Sequence, residues 1–317
     1  MTDEIENINK TENEKTAPPT LPEWIRPAFR KRPYLEQLAP RLRELGVATV
    51  CESARCPNLG ECFSNKEATI ILLGTVCTRN CRFCAVAPGK PEPVDAEEPQ
   101  RVAKAAKELG LKHIVLTSVT RDDLPDGGAG QFVATLKAIR ELLPTASVEL
   151  LVPDFAGNDA AIRAVIEAGP EVFAHNMETV PRLYAKVRPQ ADWRRSLAVL
   201  SAAKRYAAEN RAKSDTKFST FIKSGLMVGL GERRAELIAA FAELAAVGVD
   251  ILTVGQYLQP TPEHLPVVEY LRLEVYDELA EAARQAGIPC VVAGPLVRSS
   301  YRAGEAFKCR SALNVER

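Results

Sequence analysis

Apolar, strand-like runs alternate with Ala- and charge-rich helical stretches along most of this 317-residue chain, and that alternation leaves few folds open. The runs lie at Thr69 to Leu73, His113 to Ser118, Val148 to Val152, Val172 to His175, Phe218 to Leu230 and Ile251 to Gln256. Helical patterns separate them: Ala96 to Leu109, Gly130 to Leu143, Asn158 to Ala168, Arg194 to Asn210 and Glu232 to Val247, with a last one near Leu271 to Ala286. Strands spaced by helices of this length read as repeated βαβ units and a parallel sheet. Six in series, with no dinucleotide fingerprint, fit an α/β fold of the partial (β/α)6 TIM-like barrel type better than a doubly wound sheet. A short extra strand is expected at Cys290 to Val292. In such barrels the loops after the strand C-termini build the site. Here those loops are Cys77 to Cys84, Thr120 to Gly128, Asp154, His175 to Glu178 and Gln256 to Pro260, so they are expected to converge on one face.

The flanks are read by composition. Residues 1–22 are polar and charged, close on Pro18, Pro19 and Pro22, and are expected to form a flexible tail. Residues 23–68 form an N-terminal extension, with a helix over Leu35 to Leu45; residues 69–288 form the barrel, and 289–317 a C-terminal extension. The acidic start, Met1-Thr2-Asp3-Glu4-Ile5-Glu6, lacks the features of a secretory signal or transit peptide. No apolar stretch of about 18 residues is present to span a bilayer. With 41 basic and 41 acidic residues, no broad field favours nucleic acid or a membrane. The expected location is the cytoplasm.

Six of the eight cysteines fall within residues 51–84, in two triplets: Cys51-x4-Cys56-x5-Cys62 and Cys77-x3-Cys81-x2-Cys84. Thiols so close together either form disulfides or hold metal. A chain this long buries a core without covalent staples, and clustered cysteines in a reducing compartment more often bind metal. Three thiolates with no local fourth leave one iron of a [4Fe-4S] cubane open. Zinc, which takes four Cys or His ligands, remains the alternative on spacing alone.

The C-x3-C-x2-C loop after the first strand, with aromatic Phe83 before its last cysteine, resembles the signature of the radical S-adenosylmethionine enzymes. The other triplet, Cys51-x4-Cys56-x5-Cys62, narrows the likeness to the lipoyl synthase family. Further matches are Arg121-Asp122-Asp123-Leu124-Pro125-Asp126-Gly127-Gly128, His175-Asn176-Met177-Glu178-Thr179, Lys223-Ser224-Gly225-Leu226-Met227, Gly255-Gln256-Tyr257-Leu258-Gln259-Pro260-Thr261 and Arg298-Ser299-Ser300-Tyr301. The resemblance covers roughly residues 20 to 307. One departure is Thr120, where the family usually carries Asp.

The resemblance implies two [4Fe-4S] clusters. Cys77, Cys81 and Cys84 would hold the one that binds and reductively cleaves S-adenosylmethionine. Cys51, Cys56 and Cys62, with Ser300 as fourth ligand, would hold an auxiliary cluster consumed as sulfur donor. An alkoxide is a poorer partner for soft iron–sulfur chemistry than a thiolate, which suits a cluster that must come apart. The implied reaction is radical insertion of two sulfurs at carbons 6 and 8 of a protein-bound octanoyl-lysine. The implied partners are an octanoylated carrier (a glycine-cleavage H protein or an acyltransferase lipoyl domain), an electron donor such as flavodoxin or ferredoxin, and a cluster-rebuilding protein.

Other residues carry weaker expectations. Asn176 and Glu178, one residue apart, are expected to face the barrel mouth and bind S-adenosylmethionine, with Arg188 for its carboxylate; capping or a surface ion pair is the alternative. Asp126-Gly127-Gly128 either lets backbone approach the cofactor or is simply a turn. His175 is as readily a structural group as a ligand. His113 and His264 carry no functional reading, and Cys290 and Cys309 read as incidental thiols. Two competing functions stand: another sulfur-inserting radical enzyme such as a methylthiotransferase, and an electron-transfer or zinc module without catalysis.

Overall fold

The computed structural model describes residues 20–25, 35–53, 56, 58, 61–62, 67–213 and 220–315; of Cys51 it describes the backbone alone. The tail expected over residues 1–22 lies, for residues 1–19, outside this set. The chain begins with α1 (Leu35–Glu44), β1 (Ala48–Thr49) and α2 (Val50–Ser53). After β2 (Thr69–Leu72), the two-residue strands β3 (Val76–Cys77) and β4 (Ala87–Pro88) pair with each other and bracket the second cysteine triplet. The alternation then runs α3 (Glu98–Glu108), β5 (His113–Ser118), α4 (Ala129–Leu142), β6 (Ser147–Leu151), α5 (Asp159–Glu167) and β7 (Val172–Ala174). It continues through α6 (Tyr184–Val187), α7 (Trp193–Lys213), β8 (Phe221–Val228), α8 (Arg234–Ala246), β9 (Ile251–Gln256), α9 (Leu273–Gln285), β10 (Cys290–Gly294) and α10 (Ala303–Val315).

One sheet carries the order β1-β2-β5-β6-β7-β8-β9-β10. Every pair in it is parallel except β1–β2. Chain order therefore equals spatial order, as in a (β/α) barrel. Among the described residues β1 and β10 remain at the two edges, so the barrel is partial. All the expected strands are present. The one expected over Phe218 to Leu230 runs Phe221–Val228, with residues 218–219 outside the described set. The extra strand at Cys290 extends to Gly294 and pairs with β9.

Alternation along the strands sorts their side chains between helices and lumen. Ile114 and Leu116 of β5 are fully buried in the main apolar core beneath the helices. On the opposite face of β5, His113 and Val115 look inward. The first residues of β7 to β10 (Val172, Phe221, Ile251 and Cys290) pack with Ala306 and Phe307 of α10. The C-terminal helix thus floors the barrel at the N-terminal ends of its strands.

One layer above that floor lies a buried ion pair. Lys223 Nζ of β8 donates to both carboxylate oxygens of Glu149 on β6, at 2.9 and 2.8 Å, across β7. Both side chains are about 1% exposed. Burial alone would raise the Glu149 carboxyl, but Lys223 and the nearby His113 hold it below its ordinary value. Removing one partner of such a pair leaves an uncompensated charge in the interior. Lys223→Met is expected to destabilise the fold by about 3–5 kcal/mol in urea titration. Adding Glu149→Leu should restore most of that stability.

Candidate active site

The second cysteine triplet sits at the C-terminal end of β2, where barrels of this kind place their chemistry. Two backbone donors point at the first sulfur: Arg79 N at 3.4 Å and Thr120 N at 3.3 Å from Cys77 Sγ. The Val86 N–H does the same for Cys84. Such donors favour a charged thiolate over a neutral thiol. Burial pushes the Cys84 thiol up to about 12, and the neighbouring Cys81 and Cys77 add to it. Cys81 is raised as well, by burial first, with Arg188 acting against it. Three thiols close enough to burden one another, aimed at by N–H groups, fit residues built to bind a cluster that holds them as thiolates. Among the described residues no three Cys, His, Asp or Glu side chains close around a point as ligands of a single ion would. Three thiolates on three corners of a cubane need no such point.

The loop is fixed by Arg79, between the first two cysteines. Its guanidinium donates to both Asp154 oxygens at 2.9 and 2.7 Å and to both Asp122 oxygens at 2.7 Å. Asp154 is fully buried and also accepts from Arg195 Nε at 2.8 Å. Burial alone would lower Arg79 and raise Asp154; each instead moves in the direction of stronger charge because the partners face each other. Thr78 joins in, with its hydroxyl and its N–H both donating to the Thr120 carbonyl. Thr120 therefore serves through its backbone, to Cys77 Sγ on one side and Thr78 on the other, and these contacts need no carboxylate there.

His264, which carried no reading from sequence, is placed against the same loop. Its Nε2 lies 2.9 Å from the Cys84 carbonyl and its Nδ1 2.8 Å from Thr261 Oγ1, while Leu265 N donates to Arg82 O at 3.1 Å. The loop after β9 thus clasps the cysteine loop. A lone histidine outside any spacing motif gives no signal in one sequence. Phe83 is half-buried against the main core.

Asn176 and Glu178 lie on one side, as expected, with Asn176 Nδ2 donating to Glu178 Oε1 at 3.0 Å. They are not on regular strand, since β7 ends at Ala174. Glu178 takes a left-handed φ of 69°, held by Glu178 N to Gly225 O and Met227 N to Glu178 O. A non-glycine residue kept there is strained and needs its surroundings to impose it. Burial raises the Glu178 carboxyl, opposed by Arg188. Arg188 is largely committed: Nη1 donates to the Asn176 carbonyl at 2.8 Å and to Tyr184 Oη at 3.0 Å. Its Nε is buried without a partner.

Two of the weaker candidates make structural contacts of their own. Asp126 accepts from Gly128 N at 2.9 Å and from Gly130 N at 2.7 Å, closing a turn into α4. Gly128 has a φ of 90°, and a Cβ there would strike Leu73, so the glycine makes room for the barrel wall. His175 is buried between the Val152 carbonyl (2.9 Å) and Ser196 Oγ (3.1 Å).

A second set of residues meets where the sheet stays open. Cys56, Cys62, Arg298 and Ser300 line a cavity with Thr69 and His113 from the inner face of β2 and β5. The C-terminal segment is brought there by Asn58 Nδ2 donating to Leu296 O at 2.5 Å, and by Tyr301 Oη and Arg302 Nη2 donating to Glu61 Oε1, each at 2.9 Å. Gly255 is required for its approach, because a Cβ there would collide with the Val297 carbonyl. Burial lowers the Arg298 guanidinium, against the pull of Cys56. The two serines diverge: Ser300 lines the cavity, whereas Ser299 Oγ donates to Asn176 Oδ1 at 3.0 Å.

The fold and loop define a class. The family model of the Radical SAM superfamily matches residues 71–244. Solved structures agree on the fold: methylornithine synthase superposes with a TM-score of 0.50 at 15% identity, over 92% of this chain and 91% of that one. Streptococcus suis SuiB bound to S-adenosylmethionine gives 0.54 at 10% identity, over 75% and 53%. Sequence comparison carries the assignment further. A lipoyl synthase of Caldanaerobacter subterraneus is 49% identical over 89% of this chain and 95% of its own length. One of Nitratidesulfovibrio vulgaris is 47% identical over 93% and 95%, and one of Mycobacterium ulcerans 44% over 96% and 90%. The chain belongs to the lipoyl synthase family.

Two outcomes follow from this geometry. Arg79→Ala, with Asp154 left buried and short of a cation, is expected to lower the iron bound per chain after anaerobic reconstitution by about half while far-UV circular dichroism stays unchanged. For His175, burial first and then Arg188 lower the imidazole to about 4. The unfolded chain takes this proton near pH 6.5 and the folded one near pH 4, so stability is full above pH 6.5 and declines as pH falls through that window. The loss approaches roughly 3 kcal/mol, and the stability difference between the protein and His175→Gln, measured by urea titration at pH 7 and pH 4.5, should show it.

Proposed function

We propose that this chain inserts sulfur at carbons 6 and 8 of an octanoyl-lysine carried on a protein, and that it works with two iron–sulfur clusters. The observation that supports this best is the pair of thiol-lined sites on one scaffold. Cys77, Cys81 and Cys84 gather at the strand ends, Cys56 and Cys62 line the cavity at the open edge, and Ser299-Ser300 touches both surroundings. Bound S-adenosylmethionine and clusters supply a carbon radical that takes hydrogen from unactivated carbon, and the sulfide that replaces it.

The chain's own residues position and shield. Cys77, Cys81 and Cys84 hold the first cluster, with Arg79 and His264 keeping their loop in place. Asn176 and Glu178, with the unpartnered Nε of Arg188, offer polar contacts to S-adenosylmethionine beside Cys81. Cys51, Cys56, Cys62 and Ser300 would hold the auxiliary cluster, and Arg298 lines the same cavity as Cys56, Cys62 and Ser300. An octanoylated carrier protein delivers the substrate, and a flavodoxin- or ferredoxin-like donor and a cluster-rebuilding protein complete the set, in the cytoplasm. Among the described residues no helix is long and apolar enough to cross a membrane.

The test is mass spectrometry of an octanoyl-lysine peptide incubated anaerobically with reconstituted protein, S-adenosylmethionine and a strong reductant. The protein is expected to add two sulfurs. Cys62→Ala and Ser300→Ala should still release 5′-deoxyadenosine while sulfur insertion falls at least tenfold; Cys81→Ala should abolish both. If 5′-deoxyadenosine forms with the unaltered protein and the peptide gains no sulfur, octanoyl-lysine is the wrong substrate.

A further inference from the structure

Two cysteines stand apart from both thiol-lined sites. Cys290 opens β10 and is 3% exposed; Cys309 lies on α10 and is exposed. Their sulfurs are 3.5 Å apart, with Cys290 Sγ also 3.9 Å from the Ala306 carbonyl. Nothing in the proposed chemistry uses either. Two thiols in contact, one of them open to solvent, make a dithiol that a small disulfide can reach from one side.

The position of the pair gives it a consequence. Residues 290 and 309 are 19 positions apart, and the chain between them carries Arg298-Ser299-Ser300-Tyr301. The same helix is held to the barrel by Phe307 stacked on His113 at 6.0 Å, and by Arg310 Nη2 at 3.2 Å from Asp250 Oδ1. A covalent bond beside these contacts would make the attachment permanent until reduced.

We propose that Cys290 and Cys309 form a reversible disulfide when the protein meets a small disulfide of the glutathione type, fastening α10 to the floor of the barrel. The exposed Cys309 thiolate attacks the reagent, forming a mixed disulfide and releasing one reagent thiolate. Cys290 then loses its proton, and its sulfur attacks Cys309 Sγ, releasing the second. Two protein thiols are oxidised by two electrons to one disulfide, and one reagent disulfide is reduced to two thiols. Burial and Cys309 push the Cys290 thiol up to about 12, so Cys290 is a slow first nucleophile, and this order of attack follows. The cross-link constrains the segment that bears Ser300 without touching a residue of either thiol-lined site.

The experiment uses the cluster-loaded full chain, held without oxygen with oxidised glutathione, then alkylated and mapped by mass spectrometry. The expected product is a peptide pair linked through Cys290 and Cys309, absent from Cys309→Ser and Cys290→Ser and released by dithiothreitol. Proteolytic cleavage within residues 303–315 should slow at least tenfold in the linked form and return to its starting rate on reduction. A glutathione adduct that persists on Cys309 with Cys290 still alkylatable would overturn the proposal. So would cross-linked protein whose C-terminal helix is cleaved as fast as before. Each result is read without assaying sulfur insertion, so a wrong substrate assignment leaves it intact.

Discussion

The salt bridge between Arg79 and Asp154 is the contact on which the site's geometry depends. A loop carrying three thiols has no regular hydrogen-bond ladder of its own beyond the two residues each of β3 and β4. Beside the contacts of Thr78 and His264, it is pinned by a guanidinium reaching to the loop after β6, where Asp154 is fully buried. Planar bidentate pairing fixes orientation as well as distance. A lysine at position 79 would keep the charge and lose the fork that also engages Asp122. Because Arg195 of α7 binds the same carboxylate, the loop is tied to a helix of the outer layer too.

Much of this was legible in the sequence, and the reason differs between scaffold and site. The strands of β5 to β9 are runs buried on both faces, so they read as mainly apolar segments with helices between. The cysteine triplets are legible because thiolate chemistry fixes spacing. Elements with neither property went unseen. β1, β3 and β4 are two residues long and have no period, and α10 follows the last expected strand without an amphipathic stripe strong enough to mark it. The roles of Arg79, Asp154 and His264 depend on contacts between positions far apart in the chain, as with His264 and Cys84, 180 residues apart. One sequence cannot pair them. Conversely, Asp126-Gly127-Gly128 and His175 each left a structural and a cofactor reading open, and only packing shows the turn and the buried hydrogen bonds they make.

The open edge of the barrel is as consequential as its wall. A closed barrel has no unpaired strand edge, but among the described residues this sheet ends at β1 on one side and β10 on the other. The gap admits Cys56 and Cys62 from before the barrel and Ser300 from after it, two segments more than 230 positions apart that no single βα loop could supply. The glycine at position 255 lets the second of these approach the inner wall. A partial barrel thus serves as a frame for a second site, and the hydrogen bonds from Asn58, Tyr301 and Arg302 are what close it.

Ser299 and Ser300 then impose a limit on how independently the two sites can behave. Successive Cα atoms are about 3.8 Å apart, so a displacement that takes Ser300 out of the cavity also pulls on the bond from Ser299 to Asn176, whose amide in turn holds the strained Glu178. The Ser299–Asn176 bond therefore ties the cavity segment to the polar end of the other site. Ser299 and the strained Glu178 are joined through the Asn176 amide by two hydrogen bonds, so the cavity segment and the polar end of the cysteine-loop site share one side chain.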